Sequence, residues 1–191
     1  FRLAAVPVTQ AQYAVFEPSH RSHFEGAQRP VDSVTWYQAM AFCDWLASHS
    51  ATAGARLPTE DEWEYACRVG TTTAYSWGND INSTRANYNW DGGGTSGNDF
   101  KQTRDVGQYA ANPWGFFDMQ GNVWEWVSDW KANYFTGAQT DPEGPASGSG
   151  RVLRGGSWRP DGAHLRSARR HSHPPSSRFS NIGFRVGFQK Q

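Results

Sequence analysis

Three threonine-headed capping boxes lie in the first third of the chain and set where its helices can begin: Thr9-Gln-Ala-Gln12, Thr35-Trp-Tyr-Gln38 and Thr59-Glu-Asp-Glu62. In each, the Thr hydroxyl can accept from the third following amide, and the Gln or Glu there can reach back to the Thr amide. After Thr35, the apolar residues Trp36, Ala39, Met40, Cys43 and Leu46 recur on one helical face, which predicts a helix over roughly residues 36–48. After Thr59, Trp63, Ala66 and Cys67 do the same. Glu60, Asp61, Glu62 and Glu64 load the first turns, where the helix dipole favours negative charge.

Beyond residue 75 the helical signal stops. The stretch from Tyr75 to Gln139 has little period and is rich in Gly, Asn, Asp and Trp. It reads as long ordered loops with short strands, and such a stretch in a compact domain is functional or clamped. The tail is different again. Two β-prone pieces, Arg151-Val-Leu-Arg154 and Gly183-Phe-Arg-Val-Gly-Phe188, bracket an insert that mixes arginines, imidazoles, prolines and an aromatic with no helical or strand period. A fold has no need of such variety at adjacent positions, whereas a recognition surface does.

The 191 residues suit one domain, and no repeat, linker or low-complexity tract divides residues 1–191. Aromatics at 15% and twenty glycines describe a compact, loop-rich chain rather than a disordered one. Net charge is zero, but residues 151–191 carry nine Lys/Arg against one acid, +8, and residues 1–150 carry nine against seventeen, −8. The asymmetry reads as two halves pairing inside one fold. The alternative, a basic face for nucleic acid, lacks any motif or run of arginines. Cys43 and Cys67 are too few for a disulfide framework or a zinc site and read as buried thiols. No apolar stretch is long enough to span a bilayer. The chain opens on Phe1 rather than methionine, which reads as a trimmed or processed piece and leaves the compartment open.

A set of motifs occurs in order along nearly the whole length: Pro7-Val-Thr-Gln10, Arg29-Pro-Val-Asp-Ser-Val-Thr-Trp36, Arg56-Leu-Pro-Thr-Glu-Asp-Glu-Trp-Glu-Tyr-Ala66, Gly121-Asn-Val-Trp-Glu-Trp126, Arg154-Gly-Gly-Ser-Trp158 and Gly183-Phe-Arg185. With them the chain resembles the formylglycine-generating enzyme (sulfatase-modifying factor) family. The resemblance implies an α+β, C-type lectin-like fold with two main helices, short antiparallel strands and much irregular loop. The enzymes of that family oxidise a substrate cysteine with an active-site cysteine pair and copper. Here the corresponding stretch, Arg159 to Arg170, has no cysteine, and the resemblance places Cys43 and Cys67 far from it. The expectation is no formylglycine generation, no copper and no enzyme.

The tail also resembles the variable proteins of diversity-generating retroelements, some of which share this fold. Leu165-Arg-Ser-Ala168, Arg170, Pro175, Arg178 and Ile182-Gly-Phe-Arg185 stand at the fixed places. The varying places hold Arg159, Pro160, Asp161, His164, Arg169, His171, Ser172, His173, Ser177, Phe179, Ser180 and Asn181. Each of these types can be encoded by a codon ending in C, and no Lys, Glu, Gln, Met or Trp occurs from Arg159 to Asn181. Three readings stay open on the residues, the first two being a variable protein displaying 159–181 to a macromolecular ligand, a protein rather than nucleic acid, and a catalytically silent regulatory or scaffolding paralogue. A redox enzyme with unsignalled chemistry is the third.

The resemblance further implies structural calcium. One oxygen set would be the carboxylates of Asp118 and Glu125 with the carbonyls of Gly121 and Val123; a second would be Asn87, the Tyr88 carbonyl, Asp99 and the Phe100 carbonyl. The bland alternative is that Asp118 and Glu125 cap loops and pair with Arg154 or Arg185. His164, His171 and His173 invite a transition-metal reading, since two residues apart on an extended segment share a face. The nearby prolines suggest an irregular loop instead, and the histidines read as contact residues. Trp124 and Trp126 read as core, and Trp158 as half exposed. Arg166, Arg170 and Arg185 read as buried or half-buried guanidinium groups bridging carbonyls and acids.

Overall fold

All three capping boxes form, with both reciprocal hydrogen bonds in each, and they open α1 (Gln10–Phe16), α2 (Trp36–Ala47) and α3 (Glu60–Arg68). The computed structural model describes residues 1–89, 101–133, 144–159 and 161–189. The strands are β1 (Arg2–Leu3), β2 (Ala55–Arg56), β3 (Trp124–Trp130), β4 (Arg151–Arg154), β5 (Arg170–His173), β6 (Ile182–Phe184) and β7 (Gly187–Phe188). They make a three-stranded sheet in the order β1-β7-β2 and a four-stranded sheet in the order β5-β4-β3-β6.

Two features differ from the sequence reading. The strands are not all antiparallel: β3 and β6 run parallel, with Glu125 opposite Gly183. The insert is also not wholly irregular. Arg170–His173 pairs antiparallel with β4, setting Leu153 opposite His171 and Arg151 opposite His173. Neither feature has a local cause. Arg-His-Ser-His has no apolar alternation, and its extended form comes from the ladder that β4 offers.

The main core joins α1, α2 and the larger sheet through Tyr13, Phe42, Trp126, Leu153 and Phe184. A second cluster sets Trp63, Ala66 and Cys67 of α3 against Met119, Val127 and Val152. A third holds Tyr75, Ala86, Tyr88 and Leu165, which brings the insert down onto the loops after α3. Trp124 and Trp126 are buried and Trp158 is half-buried, as the sequence suggests. Among the described residues no helix is long and apolar enough to cross a membrane.

Candidate functional site

Arg154 and Arg170 hold the tail insert from below, beside the apolar contacts of Leu165, and Arg185 ties the chain after β6 to β3. Arg154, on β4, is fully buried. It donates to the Ser167 carbonyl at 2.8 Å and the Arg169 carbonyl at 2.5 Å, and pairs with Glu64. Arg170 donates through Nε and Nη2 to both Glu60 oxygens at 2.5 Å and through Nη1 to the Ala132 carbonyl at 2.8 Å. Arg185, also fully buried, makes a bidentate pair with Glu125, 2.7 Å on each oxygen, and reaches the Phe117 carbonyl at 2.9 Å. A planar guanidinium has five donors and can satisfy several loop carbonyls at once. So the two charged halves of the chain do pair, through Glu60, Glu64 and Glu125. Glu60, read from sequence as a dipole-favoured helix start, is buried because Arg170 and Arg154 converge on it. Arg166 differs from the expectation and is exposed.

Backbone bonds complete the hold. The Ser167 amide donates to the Ala74 carbonyl, the Trp36 amide to Pro175, the Ser33 amide to Phe179 and the Trp124 amide to Asn181. Tyr75 Oη donates to the Gly162 carbonyl at 2.9 Å. The turn into the insert needs two left-handed glycines, Gly155 at φ +92° and Gly156 at φ +74°. A Cβ on Gly156 would sit 2.6 Å from Leu165 Cδ1 and 2.9 Å from the His164 carbonyl oxygen.

Against this hold, the positions assigned to recognition face outward. Arg159, Asp161, Arg169, His171 and Phe179 are exposed, and His164, Ser172, His173, Ser177, Ser180 and Asn181 are half-buried. Phe179 is 43% exposed. Pro160 lies outside the described residues. Their side chains carry little internal structure. Asp161 caps the short turn Gly162–Leu165 and pairs with His164 at 3.1 Å, and Asn181 donates to Ser157 Oγ at 3.1 Å. The His171 and His173 rings meet edge to face, with Trp124 against His171 and Phe179 against His173. No ion pair among the described residues reaches Arg159, Arg169 or Arg178, so this face is positively charged.

Asp118, Gly121 and Val123 lie in the loop that leads into β3, and Glu125 lies on β3. Burial pushes the Asp118 carboxyl up to about 6; the Gly107 amide at 2.7 Å and Arg185 oppose that, and Glu125 adds to it. Glu125 spends three acceptor positions on Arg185 and on Trp63 Nε1 at 2.7 Å, which leaves about one of the four a carboxylate offers. Gly121, at φ +100°, lets this loop close on the second set, since a Cβ there would lie 2.6 Å from the Asn87 carbonyl oxygen. Asn87 donates to the Gln102 carbonyl at 2.9 Å, while its own Oδ1 is buried with no hydrogen-bond partner among the described residues. Tyr88 is buried beside it, and Asp99 and Phe100 lie outside the described residues.

The sequence reading misplaced one thiol. Cys67 is not far from the insert: its Sγ lies 3.6 Å from Ser167 Oγ. Both Cys43 and Cys67 are buried and free, and burial pushes each thiol up to about 12.

Residues 1–189 match the sulfatase-modifying factor enzyme 1-like domain. The chain belongs to that family. The formylglycine-generating enzyme of Mus musculus is 36% identical over 191 residues, which cover 94% of this chain and 50% of the mouse protein. Treponema denticola variable protein 1 superposes with a TM-score of 0.81 at 32% identity, covering 94% of this chain and 81% of that one. The Major Tropism Determinant U1 variant superposes with a TM-score of 0.54 at 16% identity, covering 96% of this chain and 49% of that one; at that identity the likeness is one of fold. The chain spans about half the length, or less, of the curated relatives it matches. Its fold is therefore the α+β, C-type lectin-like fold of the sulfatase-modifying factor domains.

Proposed function

We propose that this domain is a non-catalytic binding module that displays residues 159–181 as its recognition surface, in the manner of variable proteins of diversity-generating retroelements. One observation carries the reading: the backbone of the insert is held by residues outside the assigned positions, while the side chains at the assigned positions are exposed or half-buried. The likeness to Treponema denticola variable protein 1 supports it. The ligand is a protein with acidic groups, facing Arg159, Arg169 and Arg178. Affinity rests on a few anchors, Arg159, Arg169 and Phe179 foremost. Flanking DNA tests the reading: a near-identical template repeat, carrying adenines where this gene carries other bases, should stand beside a reverse transcriptase. Finding no such repeat would favour a catalytically silent paralogue.

Catalysis by thiol oxidation is not part of the proposal. A thiolate is the nucleophile and copper ligand in that chemistry, and both thiols here are buried and held protonated. Turnover of a cysteine peptide by the copper-treated domain would overturn this.

Calcium is the structural ion that the oxygen donors suit. Asp118 supplies a buried carboxylate and Asn87 Oδ1 a buried acceptor without a partner among the described residues, so both sets fit in part. A bound calcium would neutralise Asp118 and order the Gly-rich loops. Calcium at a hundred times its dissociation constant should stabilise the fold by about 2.7 kcal/mol. An unchanged melting temperature in calcium and in chelator would remove the ion from the account.

A further inference from the structure

We propose that His171 and His173 form a bidentate chelate for a borderline divalent transition ion, with zinc as the ion to test. The two residues alternate along β5, so their side chains leave the same face. Their Nε2 atoms lie 3.2 Å apart. With zinc–nitrogen bonds of about 2.0–2.1 Å, that separation subtends about 100° at a shared ion, close to the tetrahedral angle.

Two aromatic neighbours and the strand ladder hold the pair in place. The rings meet edge to face at 4.7 Å between centroids. Trp124 backs His171 at 5.5 Å and Phe179 backs His173 at 4.9 Å. The backbone beneath is fixed by the ladder to Leu153 and Arg151. Less side-chain freedom is therefore lost when the ion binds.

Both imidazoles titrate below their ordinary range. Burial lowers His171, with His173, Arg169, His164 and Lys131 adding to it, and burial lowers His173. Neutral rings offer a lone pair to a metal with no proton to remove. At 3.2 Å without an ion, one Nε2 donates to the other; with zinc, both rings carry their proton on Nδ1 instead. Arg169 and Lys131 oppose the added positive charge, and so limit the affinity. Among the described residues no cluster of three or more His, Cys, Asp or Glu exists, so the chelate leaves two positions for water or for a donor from a bound partner. This inference stands whether or not the insert is a recognition surface.

The experiment is zinc titration of the untagged protein, stripped with chelator, followed by calorimetry and by nitrogen-15 spectra of the imidazoles. One zinc should bind per chain, and the His171 and His173 Nε2 resonances should both move. His171→Ala and His173→Ala should each weaken binding about tenfold or more, while His49→Ala leaves it unchanged. Equal melting temperatures without zinc verify that the variants fold. Absence of binding, or Nε2 resonances that zinc leaves in place, would overturn the proposal.

Discussion

The inner and outer faces of the insert come from one run of sequence and are built on opposite principles. Inward, Leu165 and Ser167 are buried, and the carbonyls of Ser167 and Arg169 end on Arg154. Each of these inner groups has a partner elsewhere in the chain, on α3, on β4 or in the loops before β3. Outward, Arg159, Arg169, His171 and Phe179 contact few groups outside the insert and are exposed. The difference teaches how a fold can hold one segment rigid and still leave its surface chemistry free. The hold must come from backbone atoms and from side chains outside the variable places. Buried arginines suit this better than an apolar layer, because they specify the position of carbonyls and not only their burial.

The comparison breaks first on the inner side. Arg185→Met should leave Glu125 buried without its charge partner, at a cost of about 3–5 kcal/mol. For a domain of this size that lowers the melting temperature by about 10 °C, measurable by calorimetry. Arg154→Met should do similar damage through Glu60 and Glu64. Next in size is Gly156→Ala. It combines a left-handed backbone with a Cβ pressed on Leu165 and the His164 carbonyl, so about 2–3 kcal/mol should be lost. A Gly156→Ala variant as stable as the parent would mean that the turn into the insert is not fixed.

A pH experiment sharpens the inner side further. Asp129 accepts from the Glu60 amide at 2.7 Å, and burial raises its carboxyl from 3.8 to about 6. A raised acid favours the folded state while protonated. Its contribution is therefore complete below pH 3.8 and is lost as pH rises through about 6. Asp129→Asn lacks this titration. The stability of the parent relative to the variant should fall, on the order of 2 kcal/mol, between pH 4 and pH 6. A difference that stays flat would show that the carboxyl is not desolvated.

Local chemistry was legible in the sequence, and convergence was not. The capping boxes at Thr9, Thr35 and Thr59 act within four residues, and all three form as read. The frame pieces at β4 and β6 were visible for the same reason. The strand β5 was hidden because its extension is imposed by β4, and the burial of Glu60 because Arg170 arrives from 110 residues away. Cys67 beneath Ser167 is another long-range meeting, across 100 residues. For the site, compositional variety marked the insert and the resemblance to variable proteins marked its positions, which are exposed or half-buried where described. The Asn87 Oδ1 without a partner among the described residues could not be read from sequence, since that depends on how the loops pack.

The smallest expected effect is on the outer side, and it tests the account most directly. The chain with Arg159, Arg169, His171, His173 and Phe179 all replaced by serine should be compared with the parent by thermal unfolding. Because surface substitutions stay within about 0.5 kcal/mol each and take either sign, the five together should net about 1 kcal/mol, so the melting temperature should move by about 2–4 °C and unfolding should stay cooperative. A fall as large as that of Arg185→Met would contradict the account, because the outer side chains would then be holding the fold.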